Sequence, residues 1–125
     1  MNTREKIVPV PDILAHAKNA RSSGRKIIVV SSRFNLISLK MTEKIDVARG
    51  TGAVVIAVVA PDSPKPTLLP TDARAQLAAA LGSVDFVVIS DAKEIVDALK
   101  PDVVLEVSSD LAPRLIERFR LEHRE

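Results

Sequence analysis

One short stretch carries residue types suited to anion chemistry. Ser31-Ser32-Arg33-Phe34 follows an apolar run, and Ser38 and Lys40 come shortly after it. Small hydroxyls, cations and the start of a helix can together hold a phosphate, because helix N-terminal N–H groups and the helix dipole both favour negative charge. The same residues also fit a plain turn with an N-cap serine and a solvated arginine. Residue types alone leave both readings open.

Other chemistries are excluded by what is missing. The chain has no Cys, hence no thiolate nucleophile, no disulfide and no Cys-ligated metal. His16 and His123 are its two histidines. His16 falls mid-helix and His123 in a terminal tail, away from any strand end, so a Ser–His–Asp arrangement is not expected. Packing or surface roles are expected for both, and no metal site. There is no lysine-bearing phosphate loop. Gly50-Thr51-Gly52 lacks a third glycine and precedes a strand rather than following one, so it fails the dinucleotide pattern and reads as a helix stop.

Composition sets the frame for these residues. With 125 residues, 46% hydrophobic and 27% charged, the chain reads as one folded domain spanning residues 1–125. A net charge of +2 does not mark a dedicated polyanion binder. With three Phe and neither Trp nor Tyr there is no set of stacking rings, so no nucleic-acid partner is expected. The longest apolar run, Ala53 to Ala60, is far short of the roughly 20 residues a membrane helix needs, so no membrane partner is expected. The polar start, Met1 to Lys6, opens no signal peptide, and a cytoplasmic protein is expected.

The elements that must position the serines follow from hydrophobic patterning. Lys26–Ser31, Ala53–Val59, Phe86–Ser90 and Val103–Val107 are short, near-continuous apolar runs rich in β-branched residues, as strands buried on both faces require. Helix-like stretches separate them. Asp12 is expected to cap a helix to about Ser22, stopped by Gly24; Ser38 to cap one to about Arg49; Thr71 to cap Asp72–Leu81, stopped by Gly82. Asp91 with Glu94 forms a capping box for a helix ending before Pro101. Ser109 or Asp110 opens a last helix, with an apolar stripe of Leu111, Leu115, Ile116 and Phe119. Four prolines between Pro61 and Pro70 make that segment an extended surface loop. Alternating strands and helices predict an α/β fold: a three-layer α/β/α, Rossmann-like parallel sheet of four or five strands. Such sheets bind ligands at the carboxyl ends of their strands, beside the point where strand order reverses.

Beyond these local patterns, Ala20 through Ile37 resembles the opening of the bacterial cytidylyltransferase-like nucleotidyltransferases, of the heptose-1-phosphate adenylyltransferase and glycerol-3-phosphate cytidylyltransferase type. Those proteins carry a Gly-Lys-Arg turn and a strand ending Thr-Asn-Gly-Cys-Phe-Asp-Leu-Leu. The stretch from Pro70 to Val88 is similar to the family's Pro-Glu-Glu-Asp-Arg-Ala-Glu helix and Val-Asp-Tyr-Val-Val strand. Glu94 through Val103 resembles its next helix and Lys-Pro-Asp-Val turn, and Arg114 to Phe119 its closing helix.

The resemblance fails at the catalytic motifs. Where the family has His-x-Gly-His, this chain reads Ser38-Leu39-Lys40-Met41. Its Lys-Gly-Gly-Asp-Tyr falls on Glu106 to Asp110, placing an acid where a phosphate-binding Lys stands. Its Ser-Thr-Thr run falls on Leu111-Ala112-Pro113. Losing preorganised groups around a reacting phosphate removes most of the rate they supply.

The resemblance therefore implies a catalytically degenerate relative that binds rather than transfers. A nucleotide or phosphorylated small molecule is its expected ligand, held weakly. The candidate phosphate-binding residues are Ser31, Ser32, Arg33, Phe34, Ser38, Lys40, Lys65, Ser108, Ser109 and Arg114, and no residue is assigned a catalytic role. Two alternatives stay open. One is an active transferase of CMP or AMP from CTP or ATP onto a sugar or polyol phosphate, with Mg2+ as cofactor in that case alone. The other is an oligomeric assembly protein. A homodimer is expected, with the last helix a candidate contact.

Overall fold

A computed structural model describes residues 3–32, 34, 39–61 and 70–106. After a 3-10 turn at Thr3–Lys6, the elements are α1 (Val10–Ser22), β1 (Ile27–Ser32), α2 (Leu39–Arg49), β2 (Val54–Val59), α3 (Thr71–Ala79), β3 (Phe86–Ile89), α4 (Ala92–Leu99) and β4 (Val103–Glu106). The four strands form one parallel sheet in the order β3-β2-β1-β4, with helices on both faces, an α/β Rossmann-like fold. Beyond β3, Ile7 bridges in parallel to Val87, and the Val8 N–H donates to the Val87 carbonyl at 2.9 Å. The predicted last helix and residues 62–69 of the proline-rich loop lie outside the described residues.

The apolar runs behave as two-sided strands must. Every residue of β2 is buried. Ile28, Val30, Val55, Ala57, Val59 and Val87 face α2 and α3, where Met41, Ile45, Ala75, Ala78 and Ala79 complete a core. Ile27, Val29, Val54, Ile56, Val58 and Val88 face α1 and α4, against Ile13, Ala17, Ala20, Ile95 and Leu99. At these densities each buried Val or Ile contributes about 1.5–3 kcal/mol, which is why the runs are continuous rather than alternating.

Two carboxylates clasp the amino ends of the strands in the same way. The Asp85 N–H donates to the Val55 carbonyl at 2.9 Å, and the Val55 N–H donates back to Asp85 Oδ2 at 2.9 Å. The Asp102 N–H donates to the Ile27 carbonyl at 2.9 Å, and the Ile27 N–H returns to Asp102 Oδ2 at 2.8 Å. Each aspartate thus closes a two-point ring on the first turn of a neighbouring strand and satisfies an N–H the ladder leaves open. Arg49 also donates to Asp85 Oδ1 at 3.2 Å. The Val-Asp and Pro-Asp-Val patterns of the sequence therefore have a structural use here.

Two of the expected caps are corrected. α1 starts at Val10 with Pro9 as N-cap, so Asp12 lies inside the first turn instead of capping it. α3 starts at Thr71 with Pro70 as N-cap and ends at Ala79, earlier than Leu81. In both places extended proline backbone supplies the entry geometry without a side-chain acceptor. Asp91 does cap α4, its Oδ1 accepting from Lys93 N–H at 2.8 Å and Glu94 N–H at 3.4 Å. Among the described residues, no helix is long and apolar enough to cross a membrane.

Candidate functional site

The strand order fixes where a ligand crevice can form. The chain builds β2 and β3 outward on one side of β1 and then returns to place β4 on the other. Strand order therefore reverses between β1 and β4, and their carboxyl ends are where open parallel sheets place their ligands. Ser31 and Ser32 end β1, and Glu106 ends β4 in register with Ser31. α2 starts just beyond, at Leu39.

Adjacent serines serve different layers. Ser31 continues the Ile27 and Val29 side of the strand, toward α1 and α4, and shares it with Glu106. Ser32 continues the Ile28 and Val30 side, toward α2. Its Oγ accepts the Phe34 N–H at 3.2 Å, closing a small turn. Both serines are half-buried.

Phe34, named among the candidate ligand contacts, lies in the core. Its side chain is fully buried among Val30, Met41 and Ile45 and shows no face to the crevice. Its φ of 56° is left-handed, a region costly for a bulky residue. Burial of the ring and the bond to Ser32 hold it there. Phe34 is thus an apolar anchor in the core just beyond β1.

The first turn of α2 carries Leu39, Lys40 and Met41. Leu39 is 75% exposed, Lys40 is exposed, and Met41 is 1% exposed within the α2 and α3 core. The Met41 thioether is thus packed into the core between the sheet and α2 and α3. His16 lies elsewhere: its ring stacks on Phe86 with centroids 4.2 Å apart, at the amino end of β3. That is the packing role expected of it. Arg33, Ser38, Lys65, Ser108, Ser109, Arg114 and His123 fall outside the described residues, as does the apolar stripe considered as a dimer contact.

The sequence reading passed over Arg74. It is the one fully buried charged side chain among the described residues, 1% exposed in the first turn of α3. Its Nη2 donates to Thr71 Oγ1 at 3.1 Å. The signal was present in the spacing, because Arg74, Ala75, Ala78 and Ala79 share the inward stripe of a short helix. α3 follows β2, so Arg74 sits at the carboxyl end of the sheet.

Two hollows lined by described residues lie away from this end. One of about 490 Å³ lies between α1 and α4, lined by Leu14, Ala17, Lys18, Arg21, Ser22, Ala98 and Leu99. Another of about 240 Å³ lies by Lys6, Arg25 and Asp85 at the amino ends of the strands. Among the described residues no three His, Asp or Glu side chains gather as metal ligands.

No protein-family model matches the chain. It is 27% identical over 114 residues to the "Bifunctional protein HldE" of Methylobacillus flagellatus, covering 83% of this chain and 23% of that protein. It is 27% identical over 106 residues to the protein of the same name in Citrifermentans bemidjiense, covering 76% of this chain and 22% of that one. The chain thus spans less than a quarter of the length of these relatives. Among solved structures, the lipopolysaccharide core biosynthesis protein from Thermoplasma volcanium superposes with a TM-score of 0.55 at 20% identity, covering 78% of this chain and 88% of that one. Sequence similarity to HldE over most of the chain, together with this structural neighbour, supports a cytidylyltransferase-like fold.

Proposed function

We propose that this chain is a cytidylyltransferase-like domain that binds a nucleotide or phosphorylated small molecule weakly and does not transfer a nucleotidyl group. One observation carries the reading. The first turn of α2, where the family resemblance places two imidazoles and a glycine, holds Leu39, Lys40 and a Met41 buried in the core. Groups that stabilise charge on a reacting phosphate must face it, and a thioether packed among Phe34 and Ile45 offers none. Hydroxyls at the end of β1 and Lys40 at the start of α2 remain suited to a phosphate or a nucleoside monophosphate.

The test is turnover. The purified chain, given CTP or ATP, Mg2+ and heptose-1-phosphate or glycerol-3-phosphate, should release no pyrophosphate above background. Sustained release with any pair would refute the reading and favour the transferase alternative, in which Lys40, Arg33 and Lys65 replace the usual groups.

A further inference from the structure

Two surfaces of this chain, on opposite faces of the sheet, match one another in residue order, spacing and charge. The first is the outward stripe of α2. Met41 and Ile45 point into the core, so at 100° per residue Leu39, Glu43, Asp46 and Val47 point away from it. All four are exposed, and Leu39 at 75% and Val47 at 83% are the most open large apolar side chains among the described residues. A single exposed apolar residue is ordinary, but two on one short stripe with acids between them form a patch. Lys40 and Lys44 lie to one side of that stripe.

The second surface is the hollow of about 490 Å³ between α1 and α4. Ala17 and Leu99 are buried at its floor, Leu14 and Ala98 open onto it, and Lys18 and Arg21 line its α1 side. The acids of α4, Glu94 and Asp97, are not part of its lining. Arg21 donates through Nη2 to the Lys100 carbonyl, which leaves its other N–H groups for a carboxylate. Among the described residues, no hydrogen bond or ion pair engages the side chains of Lys18, Glu43 or Asp46.

The two surfaces share one pattern. Leu14, Lys18 and Arg21 follow one another at intervals of four and three along α1, as Leu39, Glu43 and Asp46 do along α2. Laid parallel, the helices bring Leu39 to Leu14, Glu43 to Lys18 and Asp46 to Arg21, over about 10 Å at 1.5 Å per residue.

We infer that this chain associates with further copies of itself head to tail, the α2 stripe of one copy seated in the α1–α4 hollow of the next. A second copy is the occupant because the chain itself carries the apolar and acidic stripe that the hollow complements. α1 and α4 cover one face of the sheet and α2 the other, so the two surfaces cannot both close within one two-fold pair. The contact is heterologous and repeats into a ring or a chain. Its ion pairs set register and salt sensitivity, while the leucines and Val47 supply the apolar contact. The association stands apart from the ligand reading above and does not depend on it.

Sedimentation equilibrium of the full chain from ~10 μM to ~1 mM tests it. Wild type should pass beyond the mass of a dimer, and more weakly at ~500 mM than at ~20 mM salt. Glu43→Lys with Asp46→Lys, and Lys18→Glu with Arg21→Glu, should each weaken association about tenfold or more, because like charges then meet. An equal mixture of the two reversed variants should associate again. Thermal unfolding checks that each is folded. Lys18→Glu alone keeps the Arg21 bond to Lys100 and should weaken association about threefold, which decides the matter if the α1 double variant does not fold. A monomer throughout, or a mass that stops at a dimer, overturns the inference. So does an assembly that the reversals leave intact, as an interface through the predicted last helix would, and so does a mixture that stays dissociated.

Discussion

Restoring a family-like imidazole at position 41 should damage the protein instead of reviving chemistry. Met41 is 1% exposed and packs with Phe34 and Ile45, themselves fully buried. Met41→His removes a buried apolar side chain, costing about 2 kcal/mol. It also buries a polar ring among apolar side chains, costing about 1–3 kcal/mol more. The expected loss is therefore about 3–5 kcal/mol, against about 5–15 kcal/mol for the whole stability of a typical domain. The loss should also depend on pH. In the unfolded chain the new imidazole protonates near pH ~6.5, while the core holds it neutral in the native state, with a depressed pKa. Below that pH the unfolded state binds the extra proton, so stability falls further, by up to about 1.4 kcal/mol per pH unit. Urea denaturation followed by circular dichroism, at about pH 7.5 and about pH 5.5, measures both effects against wild type. If Met41→His stays within about 1 kcal/mol of wild type with the same pH dependence, the ring reaches water. Position 41 would then lie outside the sealed core, and the argument from Met41 against catalysis would fall with it.

The clasp at Asp85 should be worth more through its backbone bond than through its ion pair. Asp85→Ala strands the Val55 N–H and should cost about 2 kcal/mol, whereas Asp85→Asn keeps an acceptor and Arg49→Ala loses a part-exposed pair, each costing about 1 kcal/mol or less. Equal losses in urea for all three would refute that ranking. Asp91→Ala should destabilise by about 1 kcal/mol through loss of the α4 cap, and Asp91→Asn by distinctly less; a thermal melt in which the two match would show that the acceptor is dispensable.

Much of this architecture was legible in the residues because the strands are buried on both faces. The runs at Lys26, Ala53, Phe86 and Val103 announced β1 to β4, and Asp91 with Glu94 announced α4. Entry points at Pro9 and Pro70 were misjudged because proline caps by backbone conformation, which leaves no polar acceptor to find in the sequence. The site was legible as a place but not as a set of contacts. Ser31 and Ser32 are neighbours in sequence, yet the pleat sends them to opposite layers. Phe34 follows an arginine in an anion-suited stretch, yet its left-handed backbone turns it into the core. Arg74 was hidden by its chemistry, since a guanidinium on an inward stripe is not expected until the packing is seen.

The strand order also has a consequence for the timing of folding. β1 gains one neighbour from β2, whose partner residues follow about one helix later in the chain. Its other neighbour is β4, and the Ile27–Asp102 clasp spans 75 residues. During synthesis the central strand therefore waits, with one edge unpaired, until nearly all the described sheet has been made. That edge is the side of Ile27 to Val30, among the most apolar backbone in the protein. Long-range closure of this kind slows folding relative to local pairing. A nascent chain or fragment ending before residue 102 displays an open template for intermolecular strand pairing, and the return of β4 covers that edge of β1.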